Sequence, residues 1–437
     1  MSADRPEAVV RSLASPEFDV AVIGGGPAGS VCAARLASRG RRVVVLERDR
    51  HPRFHLGESL LPNSLGVLEA IGVLDEVRRR FIVKRGARFV DGADPSRSVR
   101  YAFAEAFHAR WDHAFQVPRD DFDALLFRHA GHCGADLRER WEATRVLWTG
   151  TRAAGLEARD PNGSLHTVRA RFIVDASGRD AVIARAARDV ERIEHLDRTA
   201  LFTQVRGAWR DAGEREGDIQ IVVFGDGPHE RGWFWLIPFA DGRTSVGAVV
   251  SSAWVRARRE AGGPEELFGA AVAASTTMRG MLEGAQAAFA PRATADFSFR
   301  VRALCGDGWV ALGDASGFID PLFSTGAHLA MHGALHAADA IDDALRSGDV
   351  SRVRFESWER EQRSGAQLFV GAVQAFYGGD LVSYLFAEPQ HPFLRRAITS
   401  LLSGDVFDER ARWAREMRER FPVRTASGSG ATSGERQ

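Results

Sequence analysis

The sequence contains a single lysine. Lys84 is the one ammonium among 58 basic side chains in 437 residues, all the others being arginine. Cysteine is almost as scarce: Cys32, Cys133 and Cys305 are odd in number, widely spaced and free of any C-x-x-C pair. That excludes a disulfide framework and a cysteine zinc site, and it fits a reducing cytoplasm. Net charge is also missing, because 58 acids balance 58 bases. No overall field therefore directs the chain to nucleic acid or an anionic membrane, and a partner would be chosen by a local patch. No window reaches the roughly 20 apolar residues that span a bilayer, and the first 17 residues lack the long apolar core of a secretion signal. What remains is 45% hydrophobic and 27% charged, enough for a large core and two or three domains.

The organising stretch begins at residue 18. Residues 18–23 are an apolar run of strand length, and Gly24, Gly26 and Gly29, with Pro27 and Ala28 between them, spell G-x-G-x-x-G. A helical pattern starts at 31–36, and 43–46 reads as a returning strand closed by Glu47. Gly24 permits the tight turn, Gly26 lets backbone approach a pyrophosphate, and Gly29 lets helix pack on strand. The helix N-terminus offers N–H groups to phosphate, and Glu47 can accept from a ribose hydroxyl. The full βαβ setting points to an adenine dinucleotide rather than a structural glycine turn. The basic run 48–55 reads either as surface loop or as a flap over the dinucleotide.

Further along, Gly57-Glu58-Ser59 precedes Leu60, Leu61, Leu65, Leu68 and Ile71 at helical spacing, with Pro62 suited to the first turn. Lys84 is expected in a loop between two elements, and 88–90 as a strand entering a different sheet. Residues 101–107 alternate apolar and polar. Arg119 stands at the start of another helix with acids in its first turn, beside any phosphate there. A strand over 168–176 ends in a turn-rich loop containing Asp175. Short β runs at 199–205, 219–224, 233–238 and 244–250 predict an antiparallel sheet. A strand over 309–312 stops at Gly313-Asp314, and a helix starts near Gly326. His328, His332 and His336 share that helix at i, i+4 spacing but lack carboxylate or cysteine partners, so no metal site is assigned. Amphipathic helices are expected over 351–377 and 392–420.

The chain is thus α/β. Residues 18–100, 115–190 and 290–345 form a discontinuous Rossmann-like dinucleotide domain, 100–115 and 190–290 an antiparallel β-sheet substrate domain, and 346–422 a helical C-terminal region. Residues 1–17 and 423–437 are expected to be a disordered leader and tail.

Taken together, the GGGPAGS turn with Glu47, the Asp175 loop and Gly313-Asp314 resemble the FAD-binding fold of class A flavoprotein monooxygenases over most of 18–345. The resemblance implies FAD, with Asp314 as a ligand and Arg48, Ser59 and Arg119 as further cofactor-binding residues. Three more matches resemble the flavin-dependent halogenases of that superfamily. Trp233-Phe-Trp235-Leu-Ile-Pro238 fits W-x-W-x-I-P, although a strand with two tryptophans on one face could simply fill a core. Phe318-Ile-Asp-Pro321-Leu-Phe323-Ser324-Thr325-Gly326 fits F-x-x-P-x-x-S-x-G. Lys84 occupies the place of the essential lysine after the GES helix, where guanidinium would not substitute for an amine.

By that resemblance, FADH2 from a separate flavin reductase would react with O2. Chloride or bromide at Ser324, Thr325 and Gly326 would become hypohalous acid, which would pass a tunnel lined by Trp233, Trp235, Pro238, Phe318, Pro321 and Phe323 to Lys84. Tryptophan halogenases carry an acid where this chain has Phe323, so the resemblance favours a phenol, a pyrrole or an aromatic tethered to a carrier protein. The competing readings are an FAD-dependent aromatic hydroxylase of the same fold and a non-catalytic flavin-binding protein.

Overall fold

The computed structural model describes residues 17–424 except 195, 259, 261 and 296. The leader and tail expected at 1–17 and 423–437 therefore fall almost wholly outside the described residues.

Strand Phe18–Ile23 is buried along almost its whole length, as its continuous apolar run requires when both faces are covered. It pairs in parallel with Val43–Glu47 on one side and with Leu165–Asp175 on the other. Trp309–Ala311 and Asp136–Glu139 extend the sheet, again in parallel. An antiparallel hairpin, Glu142–Thr149 with Arg152–Arg159, hangs from Leu165–Asp175. Helix Pro27–Ala37 packs against the long helix Thr325–Ser347 and against Arg119–His132. Its close seat on the sheet depends on Gly29, where an added Cβ would lie 2.0 Å from the Gly24 carbonyl oxygen.

The second sheet runs in the order Gln286–Ala287, Arg198–Arg206, Arg243–Ser251, Gly232–Pro238, Ile219–Phe224, Gly86–Asp91 and Ser98–Ala102. Its pairs are antiparallel except for Gly86–Asp91 beside Ile219–Phe224. Alternation divides its side chains between two cores. Phe234, Leu236, Val246 and Val250 pack with helices Pro264–Ala273 and Thr276–Met281, whereas Trp233, Trp235 and Ile237 join the main core.

Several boundaries differ from expectation. Strand Ser98–Ala102 belongs to the second sheet through its pairing with Gly86–Asp91, so a division at residue 100 cuts a strand. The alternation read over 101–107 stops at Ala102, where the 3₁₀ turn Phe103–Glu105 begins. The helix after Gly57-Glu58-Ser59 starts at Ser64, beyond Pro62. The stretch 351–377 opens as a 3₁₀ turn, Arg352–Phe355, before helix Glu356–Gly378. The stretch 392–420 is two helices, Pro392–Leu402 and Arg412–Arg420, because Gly404 takes φ +77° and turns the chain out of the first. Lys84 ends a short strand, Ile82–Lys84, paired with Ala114–Gln116, and is not in a loop.

Two glycine substitutions separate packing from backbone strain. Gly29→Ala should cost at least the ~1–3 kcal/mol of an overpacked core, because backbone blocks the new methyl. Gly40→Ala meets nothing within 4 Å at φ +81° and should cost only about 1–2 kcal/mol. Urea denaturation of the two variants measures the difference.

Candidate active site

The carboxyl ends of Phe18–Ile23 and Trp309–Ala311 open into a cavity of about 1110 Å³ bounded by both sheets. Ligands of open α/β sheets bind outside such strand ends. The volume exceeds the roughly 300–1,000 Å³ of ordinary small-molecule pockets, leaving room for a dinucleotide.

Gly24, Gly26, Pro27, Ala28, Glu47 and Arg48 line it. Gly24 has φ +95°, and a Cβ there would meet the Ala176 carbonyl oxygen at 2.3 Å. At Gly26 a Cβ would meet only an Arg53 nitrogen, at 3.5 Å, so the space over the helix start is open. No side chain caps that helix, which leaves its first N–H groups for an anion. The Glu47 carboxylate accepts from the N–H groups of Gly25 and Asp49, each at 2.8 Å. Arg48 pairs with Asp180 across the same region. Arg119 also lines the cavity; it grips Asp123 at 2.7 and 3.0 Å and donates to the Leu56 carbonyl at 2.6 Å. Burial pushes the Asp314 carboxyl up to about 6 against the pull of Arg119 and Arg179. Open glycine backbone, an uncapped helix start and these flanking charges fit an adenine dinucleotide such as FAD.

Trp233, Trp235, Phe318, Pro321, Ser324, Thr325 and Gly326 line the cavity as well. The tryptophans lie side by side with ring centroids 5.8 Å apart. Trp235 sits over Gly247, its partner across the ladder, where a Cβ would lie 2.2 Å from the indole. Ser324 adopts the left-handed conformation, φ +56°, and helix Thr325–Ser347 starts at the next residue without a side-chain cap. The N–H groups of Thr325 and Gly326 thus begin a 23-residue helix with no intrahelical acceptor.

Lys84 is 1% exposed. Strand Ala114–Gln116 pairs with Ile82–Lys84 on one edge and bridges to Ser59 on the other. Across it, the Lys84 ammonium donates to Ser59 Oγ at 2.9 Å and to the Leu60 carbonyl at 3.1 Å, with the Phe103 ring 5.1 Å away. Burial pushes the amine down to about 7, with Asp218 pulling the other way. Lys84 does not itself line the cavity; Ser59 does, and it holds the amine at the cavity's edge.

An FAD binding domain family matches residues 17–372. A 1H-pyrrole-2-carbonyl-[peptidyl-carrier protein] chlorinase of Pseudomonas fluorescens is 28% identical over 418 residues, covering 90% of this chain and 91% of that one. A tryptophan 2-halogenase of Chondromyces crocatus is 32% identical over 335 residues, 76% of this chain and 62% of the other. Among solved structures, a flavoprotein/dehydrogenase from Cytophaga hutchinsonii matches with 32% identity and a TM-score of 0.84, over 91% of this chain and 95% of its own. The myxobacterial chondrochloren halogenase CndH, an FAD-dependent halogenase, matches with 32% identity and a TM-score of 0.76, over 92% and 96% of the two chains. The chain belongs to the flavin-dependent halogenases.

In this halogenase two residues expected at the tunnel lie elsewhere. Pro238 and Phe323 are absent from the cavity lining; Phe323 packs into the main core, and Pro238 sits buried at the end of its strand. The alternation of the strand and the tight turn Pro321–Phe323 turn them inward. Gly29 is likewise covered, consistent with its packing role. Of the helix histidines, His328 bonds to Ser64 and to the Gly404 carbonyl, His332 stacks on Phe407, and His336 is exposed.

Sequence reasoning missed three buried polar groups. Glu58 lines the cavity, accepts from Gln204 at 3.0 Å, and is pushed by burial up to about 7. Its signal was an acid placed directly before a leucine-rich run. Asp320, at an unspecified position of F-x-x-P, is bonded to Tyr377, one of only 3 tyrosines.

A buried lysine destabilises the fold while it is charged. Its folded pKa is depressed, so the unfolded chain binds more protons between about pH 7 and 10.5, and stability rises with pH across that window. Lys84→Met should therefore gain up to about 4 kcal/mol below pH 7 and lose that advantage towards pH 10.5. Denaturation midpoints of both proteins against pH test this.

Proposed function

We propose that this halogenase uses O2 and reduced FAD to oxidise chloride or bromide, and passes the halogen through Lys84 to an electron-rich aromatic ring. The substrate would be a phenol or pyrrole, and a carrier-tethered acyl ring is the form favoured by the pyrrole-2-carbonyl chlorinase relative. The observation that carries the reading is the amine of Lys84, buried and bonded to Ser59, which lines the cavity.

Gly24, Gly26, Ala28, Glu47, Arg48, Arg119 and Asp314 would hold the cofactor. Reduced FAD, delivered by a separate flavin reductase, would supply the electrons that activate O2 for halide oxidation. The N–H groups of Thr325 and Gly326, at the positive end of a long helix, would seat the halide, with Ser324 turning them toward the cavity. Trp233 and Trp235 would wall the passage and exclude water from it.

At Lys84 the chemistry follows from the amine's depressed pKa. In the neutral form the nitrogen attacks the halogen of hypohalous acid: an N–halogen bond forms, the O–halogen bond breaks, and the hydroxide released takes the amine proton as water. In the ammonium form it donates a hydrogen bond to the hypohalous oxygen and polarises the same bond. Either route presents an electrophilic halogen beside Nζ: the ring attacks it, the bond from the halogen to nitrogen or to the hypohalous oxygen breaks, and the proton the ring loses goes to that nitrogen or oxygen. A phenol or pyrrole is activated enough to react without the acid that Phe323 replaces.

Mass spectrometry of reductase-coupled turnovers, with a panel of phenols, pyrroles and tethered acyl groups in chloride and in bromide, tests the reading. A product that gains one halogen mass for one hydrogen, and only with halide, is expected; a hydroxylated, halide-independent product would replace this reading with a hydroxylase. Lys84→Ala should reduce halogenation at least 100-fold with flavin affinity and reoxidation unchanged, and parent-rate chlorination by that variant would sink the role given to the amine.

A further inference from the structure

We propose that Tyr377 is a positioning residue for halogenation, its hydroxyl locking the tryptophan wall to the loop that carries the halide seat. The inference rests on the wall and seat proposed above.

Tyr377 lies in the last turn of helix Glu356–Gly378, outside the Rossmann-like sheet. Neither it nor Asp320 lines the cavity. The Trp233 indole N–H donates to the Tyr377 hydroxyl at 2.9 Å, and that hydroxyl lies 2.9 Å from Asp320 Oδ2. An indole N–H can only donate, so the tyrosine must accept from it and send its own proton to the carboxylate. The other Asp320 oxygen accepts from the Leu322 N–H at 2.9 Å. Asp320 thereby fixes the turn Pro321–Phe323, which leads through left-handed Ser324 to the start of the helix at Thr325. One hydroxyl thus joins a wall residue from the second sheet to the segment that presents the Thr325 and Gly326 N–H groups.

The joint is held from outside. The Arg198 guanidinium lies 3.6 Å from the Tyr377 ring centroid, and Arg231 donates to the Tyr377 carbonyl at 2.9 Å. Trp233, Asp320 and Tyr377 are all buried, so water does not replace a lost partner. Burial pushes the Asp320 carboxyl up to about 6, while the Leu322 N–H, the Tyr377 hydroxyl and Arg198 pull it down. It is therefore predominantly an acceptor at neutral pH, as the direction of the chain requires.

Tyr377→Phe keeps the ring and removes both bonds, leaving the indole N–H and a carboxylate oxygen buried without partners. The wall and the halide segment then move independently, and displacements near 1 Å can cost about 100-fold in a positioned reaction. In the full-length, FAD-loaded enzyme with its reductase, the halide KM should rise about tenfold. Halogenated product per reduced flavin consumed should fall by a similar factor, the difference appearing as free peroxide or hypohalite, with FAD affinity within about twofold of wild type. Asp320→Asn, which breaks the link from the other end, should reproduce the pattern, and it carries the test if Tyr377→Phe does not fold. Combining Tyr377→Phe with Trp233→Phe should raise the halide KM less than the two single effects together. Folded variants with wild-type halide KM and wild-type yield would overturn the proposal. If the wild type makes no halogenated product, the proposed function fails instead. The Tyr377 joint is then read without turnover, from a bromide-dependent rise in melting temperature that is present in wild type and reduced in Tyr377→Phe; an equal rise in both would overturn it.

Discussion

The cost of holding one ammonium away from water shapes the centre of this molecule. Lys84 is almost wholly buried, and its ammonium donates to Ser59 Oγ and the Leu60 carbonyl. Neither acceptor is charged, and burial outweighs the pull of Asp218, so the proton is loosely held. Those dipoles are in place because residues 58–60 and 82–84 flank the same short strand, Ala114–Gln116. That strand runs directly into Arg119–His132, whose first residue braces the loop beside the cavity. Replacing the lysine by an apolar side chain of similar size would remove that desolvation cost.

The same economy of connection appears across the cavity. The parallel sheet supplies open backbone and a helix start, features suited to phosphate and indifferent to what else is bound. The second sheet supplies flat aromatic surface, made possible by Gly247 under Trp235. The long helix Thr325–Ser347 contributes its N-terminus to the cavity and packs its body against Pro27–Ala37, so its start and the glycine turn rest on one another. The C-terminal helices close the assembly from behind through Tyr377 and Arg231, without lining the cavity.

Much of this was legible in the residue order. The glycine turn, its flanking strands and Glu47 were readable because βαβ geometry is local, with each residue's role set by neighbours within about 30 positions. The four strands between 198 and 251 were readable because alternation and turn residues mark half-buried strands. The pair Trp233 and Trp235 was correctly placed on one face by its period of two. Phe323 was not readable: the motif leaves its position open, and the Pro321–Phe323 turn sends that ring into the core. Glu58, Asp320 and Tyr377 were passed over because their importance lies in partners 146 residues away for Gln204–Glu58 and 57 away for Tyr377–Asp320.

By itself the sequence determined the chemistry available: a dinucleotide turn, an arginine-rich chain with one amine, two closely spaced indoles, and a helix start after a serine. Local spacing fixes such things, since it sets which backbone groups are free and which side chains share a face. Only the tertiary structure decided that the amine is buried, that Ser59 holds it at the cavity's edge, and that a tyrosine from the far helix ties wall to loop. Desolvation and hydrogen bonding between distant segments exist only once the sheets are packed, and no pattern along the chain encodes a pKa.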